Sequence, residues 1–173
     1  MTVRAIGTRA GALWLLAAAA AAAIACLVAA TPAGDLVRDS FDAYLNHRPG
    51  DPGRAAYIFA RNAGVGALFL ACAWLVAHQP TQRRALDVFV LGSCVVLVGR
   101  FAVMLGGFGW PVARYMATYG PVEASGLAVT VAAYLGARRR TGLGVRELVP
   151  AAGAAALLLA IAATLEAYAG GAL

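Results

Sequence analysis

Five long apolar segments constrain the fold of this 173-residue chain more than any other feature of its sequence. They cover residues 12–30, 55–77, 85–108, 119–137 and 148–169. An α-helix of about 20 apolar residues crosses the hydrocarbon core of a bilayer. Because only short connections separate the segments, we predict one all-α integral membrane domain that covers the whole chain, a bundle of five transmembrane helices.

The composition excludes a water-soluble domain. Hydrophobic residues make up 62% of the chain and charged residues 13%, whereas a soluble domain is nearer half apolar and a quarter charged. The net charge of +6 comes from arginines that lie scattered between the apolar segments. A nucleic-acid-binding protein gathers such residues on one face, so we predict the lipid bilayer as a partner and no nucleic acid.

The arginines also predict the orientation of the bundle. With the N-terminus in the cytoplasm, eight arginines lie at the inner face and four at the outer face, which follows the positive-inside rule. The inner set is Arg4, Arg9, Arg83, Arg84, Arg138, Arg139, Arg140 and Arg146, and the outer set is Arg38, Arg48, Arg54 and Arg114. This orientation leaves the C-terminus outside.

The first segment fits two interpretations. Arg4 and Arg9 before an apolar run, with Val28-Ala29-Ala30 as a small-residue cleavage site, are typical of a signal peptide. The apolar run is longer than the usual core of a signal peptide, which favours a retained first span.

The loop after this segment predicts a short interfacial helix over residues 35–46. Pro32-Ala33-Gly34 breaks the preceding helix, and Asp35 is a suitable N-cap. Phe41 and Tyr44 then fall on one face of a helix that can lie in the headgroup plane. The helix serves either as a linker or as a surface for a partner.

Polar side chains inside the apolar segments form the candidate site. Arg61, Asn62, Arg100, Glu123 and Glu166 lie in the second to fifth segments, and counting from the nearer segment ends places the four charges in the outer leaflet. Buried charges in hydrocarbon pair with each other or line water. We therefore predict a neutral network in which the two arginines pair with the two glutamates.

Three roles are open for this network: a latch that holds the bundle together, a site that handles substrate or protons, or separate side chains that reach the interface. Asp87 is assigned to none of them. It lies one helical turn from Arg83 and Arg84, which predicts a local ion pair.

Glycines mark the predicted packing faces of the helices. Gly92 and Gly99 lie in the third segment, Gly120 lies at the start of the fourth, and Gly64 and Gly66 follow Asn62 in the second. Small residues allow helices to approach closely in lipid.

A glycine followed by a proline predicts where the fourth span starts. Gly120, followed by Pro121, is expected to form a kink or first turn there. Residues 106–111 are interpreted as too irregular for a helix, and we expect a re-entrant or interfacial loop.

No enzymatic or metal chemistry is predicted. The cysteines lie inside apolar runs, and two histidines are too few for a transition-metal site. Ala124-Ser125-Gly126 is superficially similar to the serine motif of rhomboid proteases, but no histidine follows Ser125 to act as its base. We expect neither metal nor cofactor.

The chain resembles the stage II sporulation protein M family over residues 57–170. The resemblance rests on Tyr57-Ile58-Phe59-Ala60-Arg61-Asn62, on the spaced Gly92 and Gly99, on Tyr119-Gly120-Pro121-Val122-Glu123, and on Ala162-Ala163-Thr164-Leu165-Glu166-Ala167-Tyr168. Tyr119 stands where the family often has histidine. This position can therefore keep a hydrogen-bonding role but not a role that depends on an ionisable imidazole.

The resemblance implies a non-enzymatic, multi-pass protein of the bacterial plasma membrane that works inside a larger complex. Such members accompany ABC transporters in bacteriocin export or immunity, or cell-wall hydrolases in envelope remodelling. We therefore expect a subunit that scaffolds or assists export of a peptide-like substrate, and self-association into a homo-oligomer is compatible with it. The alternatives are a stand-alone proton-coupled transporter that uses Glu123 and Glu166, and an intramembrane enzyme.

Overall fold

The computed structural model describes residues 19–36 and 50–169, and within these ranges the chain forms helices and no strand. Residues 33–36 are also helical, so the predicted interfacial helix begins before Asp35, and the prediction of Asp35 as its N-cap is wrong. The rest of this predicted helix, 37–46, and the first part of the predicted first span lie outside the described residues. The helices are α1 (Ala19–Ala29), α2 (Pro52–His78), α3 (Arg83–Phe108), α4 (Trp110–Ala137) and α5 (Val145–Ala169), with a 3₁₀ turn at Pro80–Gln82 between α2 and α3.

Three helices within the described ranges are long and apolar enough to cross a membrane: α2, α3 with its preceding 3₁₀ turn, and α5. This is the composition of a membrane protein. The 28-residue α4 falls outside this group, and it contains Arg114, Glu123 and three tyrosines. The arrangement of five spans stays a prediction.

The ends of α2 follow from local capping chemistry. The Asp51 side chain accepts a hydrogen bond of 2.8 Å from the Gly53 backbone N–H, and Pro52 occupies the first turn, where its missing N–H costs nothing. At the other end, Gln79 donates its backbone N–H to Leu75, and Pro80 then stops the helix.

The prediction of a loop over residues 106–111 is wrong. Gly106 to Phe108 complete α3, and α4 begins at Trp110 rather than at residue 119. A single residue, Gly109, reverses the chain at a φ of 65°, a conformation that is cheap only without a Cβ. Gly120 and Pro121 consequently lie inside α4 and not at its start.

Helices α2, α4 and α5 form the closely packed part of the bundle, and two glycines permit their approach. A Cβ built on Gly126 would lie 2.9 Å from Leu159 Cγ, and one on Gly66 would lie 3.5 Å from Thr130 Cγ2. Leu159 and Thr130 are themselves fully buried. We call this set (Gly66, Gly126, Thr130, Leu159 and the buried Phe69) the closed layer.

The prediction that Gly92, Gly99 and Gly120 mark packing faces is not met among the described residues. A Cβ at any of the three would have no described atom within 4 Å. Contact occurs at Gly66, as predicted, and closer approach occurs at two glycines that were not predicted: Gly126, and Gly106, where a Cβ would come within 2.6 Å of the Ala25 backbone oxygen of α1.

Helix α3 is the least buried of the long helices. Its first half contacts α2 and α4 around Val90, and its last turns contact α4 around Met104. Large apolar side chains remain exposed on its other face, namely Val88, Phe89, Leu91, Val95 and Val96. Lipid tails would solvate such a face in a membrane.

Replacing Gly126 by Ala should destabilise the bundle. The new methyl group would overlap Leu159 Cγ, and overpacking of this kind costs about 1–3 kcal/mol. Thermal unfolding in detergent measures the effect as a lower Tm. The control is Gly120→Ala, which adds a methyl group to open space in the same helix and should leave Tm unchanged or raised. Equal effects of the two substitutions would contradict the closed layer.

Candidate functional site

The polar residues singled out in the sequence surround one pocket between four helices. Arg61 and Asn62 come from α2, Arg100 from α3, and the remaining polar residues from α4 and α5. The pocket has a volume of about 100 Å³, and its lining comprises Arg61, Asn62, Arg100, Tyr119, Glu123 and Glu166 together with Val65, Leu97, Phe101 and Met104. We call it the charged pocket.

Burial differs between the acidic and the basic side of the charged pocket. Glu166 is 1% exposed and Glu123 is 4% exposed, whereas Arg61 and Arg100 are half-buried. The arginine side therefore lies nearer the surface of the bundle. Burying a carboxylate is costly unless cations and hydrogen-bond donors stand close to it.

The charges of the pocket act on one another. The Glu123 carboxyl interacts electrostatically with Glu166, Arg61 and Arg100. Two guanidinium groups and two carboxylates give the set no net charge, which suits an interior of low dielectric.

Asn62 has a defined orientation within the charged pocket. Arg61 Nε donates a hydrogen bond of 3.2 Å to Asn62 Oδ1, so the amide nitrogen Nδ2 points away from Arg61. Nδ2 is buried, and it makes no hydrogen bond to residues 19–36 or 50–169. Asn62 as a whole is 6% exposed, and its side chain interacts with the Glu123 carboxyl, the acceptor beside the amide donor.

Tyr115 is a supporting residue that the sequence reasoning missed. Its hydroxyl donates a hydrogen bond of 3.1 Å to the backbone oxygen of Glu166, and its ring meets the Tyr119 ring edge-on at 5.1 Å between centroids. Tyr115 thereby ties α4 to α5 beside the pocket. Its position one helical turn before Tyr119 was the available signal.

The depth argument for Glu123 needs correction. It assumed that the fourth span begins at Tyr119, which would place Glu123 in the first turn. Because α4 begins at Trp110 and ends at Ala137, Glu123 lies near its middle. All four charged residues line the same pocket, and this shows that they lie at one level of the bundle. Their distances from the helix ends do not show it.

The charged pocket ends at the closed layer. Along α2 the pocket residues Arg61 and Asn62 precede Gly66, and along α5 Glu166 follows Leu159. The Thr130 hydroxyl is satisfied by the Leu127 carbonyl at 2.7 Å, within its own helix. The layer thus offers packed apolar surface where a polar path would have to continue.

A second polar cluster joins α3 to α4 at the other end of the bundle. Arg138 Nε donates a hydrogen bond to Asp87 Oδ1, and Arg138 Nη2 donates one to Asp87 Oδ2, each at 2.8 Å. The Tyr134 hydroxyl donates a third to Asp87 Oδ1 at 2.7 Å. Arg83 acts on Asp87 electrostatically, as the sequence predicted, but the direct contacts of the carboxylate are to Arg138 and Tyr134. The guanidinium group offers two parallel donors, which a carboxylate prefers.

The remaining candidates have simpler surroundings. The Ser125 hydroxyl donates to the Pro121 carbonyl at 2.7 Å. Cys26, Cys72 and Cys94 are free thiols. Within the described part of the chain, no group of three or more histidine, cysteine or acidic residues is placed to bind a metal ion.

Comparisons of the chain with known protein families, with curated proteins and with solved structures gave no match. The resemblance to the stage II sporulation protein M family stays a prediction.

Replacing Arg138 by Gln should loosen the attachment of α3. The substitution removes both donors to Asp87, and because the pair is partly exposed the loss of stability should be small. A lower Tm in detergent is the expected result. Arg139→Gln is the matched control, since Arg139 is the exposed neighbour in the same turn. A Tm that falls equally for both would show that general charge, rather than this contact, is responsible.

Proposed function

We propose that this chain is a non-enzymatic, multi-span subunit of a larger complex in a bacterial plasma membrane, with its N-terminus in the cytoplasm. In this proposal the charged pocket fixes the positions of the helices and does not carry a substrate across the membrane. The closed layer supports this reading, because Gly126 and Leu159 pack directly against each other next to the pocket.

The distribution of the charges supports a latch. Each of the four helices α2, α3, α4 and α5 contributes at least one polar residue to the pocket. In lipid, apolar contacts alone discriminate poorly between helix arrangements, because lipid tails are as apolar as the side chains. A buried set of opposite charges permits only arrangements in which every charge keeps its partners.

The exposed face of α3 supports assembly with other proteins of the membrane. Its exposed large apolar side chains lie between Val88 and Val96, so this part of the helix can contact lipid or a neighbouring subunit. The family resemblance suggests two kinds of assembly: an ABC transporter that exports a peptide or confers immunity to it, and an envelope complex with cell-wall hydrolases.

The alternative is a stand-alone transporter that uses Glu123 and Glu166 as proton carriers. One observation favours it, namely that the two carboxyl groups line the same pocket and interact electrostatically. It requires a polar path past the closed layer, which would have to open during transport.

Purification of the tagged protein from native membranes in mild detergent tests the proposal. We expect an ABC-type ATPase or a cell-wall hydrolase to copurify in a fixed ratio, identified by mass spectrometry. A reference membrane complex of known composition, isolated in parallel, shows that the detergent preserves assemblies. Recovery of this chain alone under those conditions would support the transporter instead.

Replacing Glu166 by Gln separates the two functions further. A latch predicts a fall of about 3 kcal/mol in the free energy of unfolding in detergent, since an arginine of the pocket loses the negative charge beside it. The control Glu147→Gln makes the same change in the same helix at a half-exposed ion pair with Arg140, where we expect an effect near zero.

A transporter predicts a different outcome for Glu166→Gln. The variant would keep its stability and lose pH-dependent uptake in proteoliposomes loaded with a pH-sensitive dye. Unchanged Tm would therefore count against the latch, whichever way the transport measurement turns out.

A further inference from the structure

The amide nitrogen of Asn62 makes no well-formed hydrogen bond among the described residues, and the acceptor beside it is the Glu123 carboxyl, with which the Asn62 side chain interacts. Nδ2 is buried, and the Asn62 side chain lines the charged pocket. Its amide oxygen is engaged by Arg61 Nε, so a rotation that exchanges oxygen and nitrogen would bring two donors together. A buried donor without a well-formed hydrogen bond destabilises the folded chain. An occupant of the pocket that accepts a hydrogen bond would remove this destabilisation.

The size of the charged pocket indicates a small occupant. About 100 Å³ of space is available, and one water molecule requires only about 10–15 Å³ on this scale. Several water molecules therefore fit. Buried water typically makes about three hydrogen bonds to polar groups. The pocket supplies both hydrogen-bond donors and acceptors, from Asn62, Tyr119 and the four charged residues.

The charge of the lining favours an uncharged occupant. Arg61 and Arg100 balance Glu123 and Glu166 within the same pocket. An additional ion would leave a net charge in a medium of low dielectric, which is unfavourable. Water satisfies the Asn62 donor without disturbing this balance.

The position of the pocket defines the end from which water can reach it. The pocket lies on the side of the closed layer that faces the start of α2 and the turn at Gly109. The Gly50 backbone N–H donates to the Ala167 carbonyl at 3.0 Å, so the start of α2 and the end of α5 lie at this same end. The arginine distribution assigns this end to the outer face.

We propose that the charged pocket is a hydrated vestibule, open to water from the outer face only, in which a water molecule accepts a hydrogen bond from Asn62 Nδ2. The direction of access rests on the proposed membrane placement, whereas hydration of the pocket does not. The carboxyl groups of Glu123 and Glu166 then exchange protons with one side of the membrane alone.

Cysteine accessibility tests the vestibule in the full chain. The native Cys26, Cys72 and Cys94 are replaced by Ala, and a single cysteine is introduced at Leu97, which lines the pocket. The probe is 2-sulfonatoethyl methanethiosulfonate, which is membrane-impermeant and reacts with the thiolate that forms only in contact with water. Intact cells expose the outer face, and inverted membrane vesicles expose the inner face.

We expect Leu97→Cys to react in intact cells and to be protected in inverted vesicles. Val96→Cys is the matched control, because Val96 is the adjacent residue of α3, is 70% exposed on the apolar face and does not line the pocket. It should react from neither side. Trp110→Cys, at the turn after Gly109 and 74% exposed, should react from outside and confirms that the probe reaches this end.

A second pocket position keeps the test decisive if Leu97→Cys fails to fold. Val65→Cys lines the pocket from α2 and should behave as Leu97→Cys does. Lack of reaction at both positions, with Trp110→Cys reactive, would overturn the vestibule. Reaction from both faces would confirm hydration and contradict the closed layer, and with it the proposed function. Reaction from the inner face alone would overturn the direction of access.

The role of Asn62 is tested by Asn62→Leu, which replaces two polar atoms by methyl groups of similar shape. Loss of one hydrogen-bond donor to water should slow the labelling of Leu97→Cys about fivefold. An unchanged labelling rate would overturn the assignment of Asn62 as the group that holds water, while labelling itself would still report a hydrated pocket.

Discussion

Hydrocarbon offers no hydrogen bonds, and this constraint governs the arrangement of the bundle. A guanidinium or carboxylate group inside an apolar helix must find its partners on other helices or reach water. The chain carries two groups of each sign, on four different helices, and all four line one pocket. Each pairing removes some of the freedom of two helices. In the proposed latch these pairings restrict α2, α3, α4 and α5 in addition to their apolar contacts, because lipid competes with apolar contacts on equal terms.

Close packing between α2, α4 and α5 adds to the constraint that the charges impose. Gly126 lets α4 approach Leu159 of α5, and Gly66 brings α2 to the same layer. The bundle consequently combines a polar pocket with an apolar layer directly beside it. A pocket alone would be compatible with a path through the membrane, and a packed layer alone would carry no polar function. Their adjacency makes the two ends of the bundle different, with water able to approach the charges from one end.

The sequence predicts the helices and the pocket residues better than it predicts contacts. Charged residues in apolar segments are conspicuous, so Arg61, Arg100, Glu123 and Glu166 were found from hydropathy alone. The start of α4 was misplaced because a turn of one residue at Gly109 leaves almost no polar signal in the sequence. Arg138 was missed as the direct partner of Asp87 because the sequence does not show which distant arginine folding brings close. In the folded chain Arg138 lies 2.8 Å from the Asp87 carboxylate. Among the predicted packing glycines Gly66 contacts its neighbours, whereas Gly92, Gly99 and Gly120 do not, because spacing does not reveal which face of a helix meets a neighbour.

Helix α3 is the element whose position depends most on polar contacts. Few of its residues are buried, and most of these lie in its last two turns. Arg100 binds it to the charged pocket near one end, and Asp87 binds it to Arg138 near the other. An apolar helix held at two polar points can shift when either point changes its charge or its hydration, whereas α2, α4 and α5 are locked by the closed layer. A neighbouring subunit in contact with the exposed face of α3 would therefore sense the state of the pocket through this helix, which connects the interior charges to the surface available for assembly.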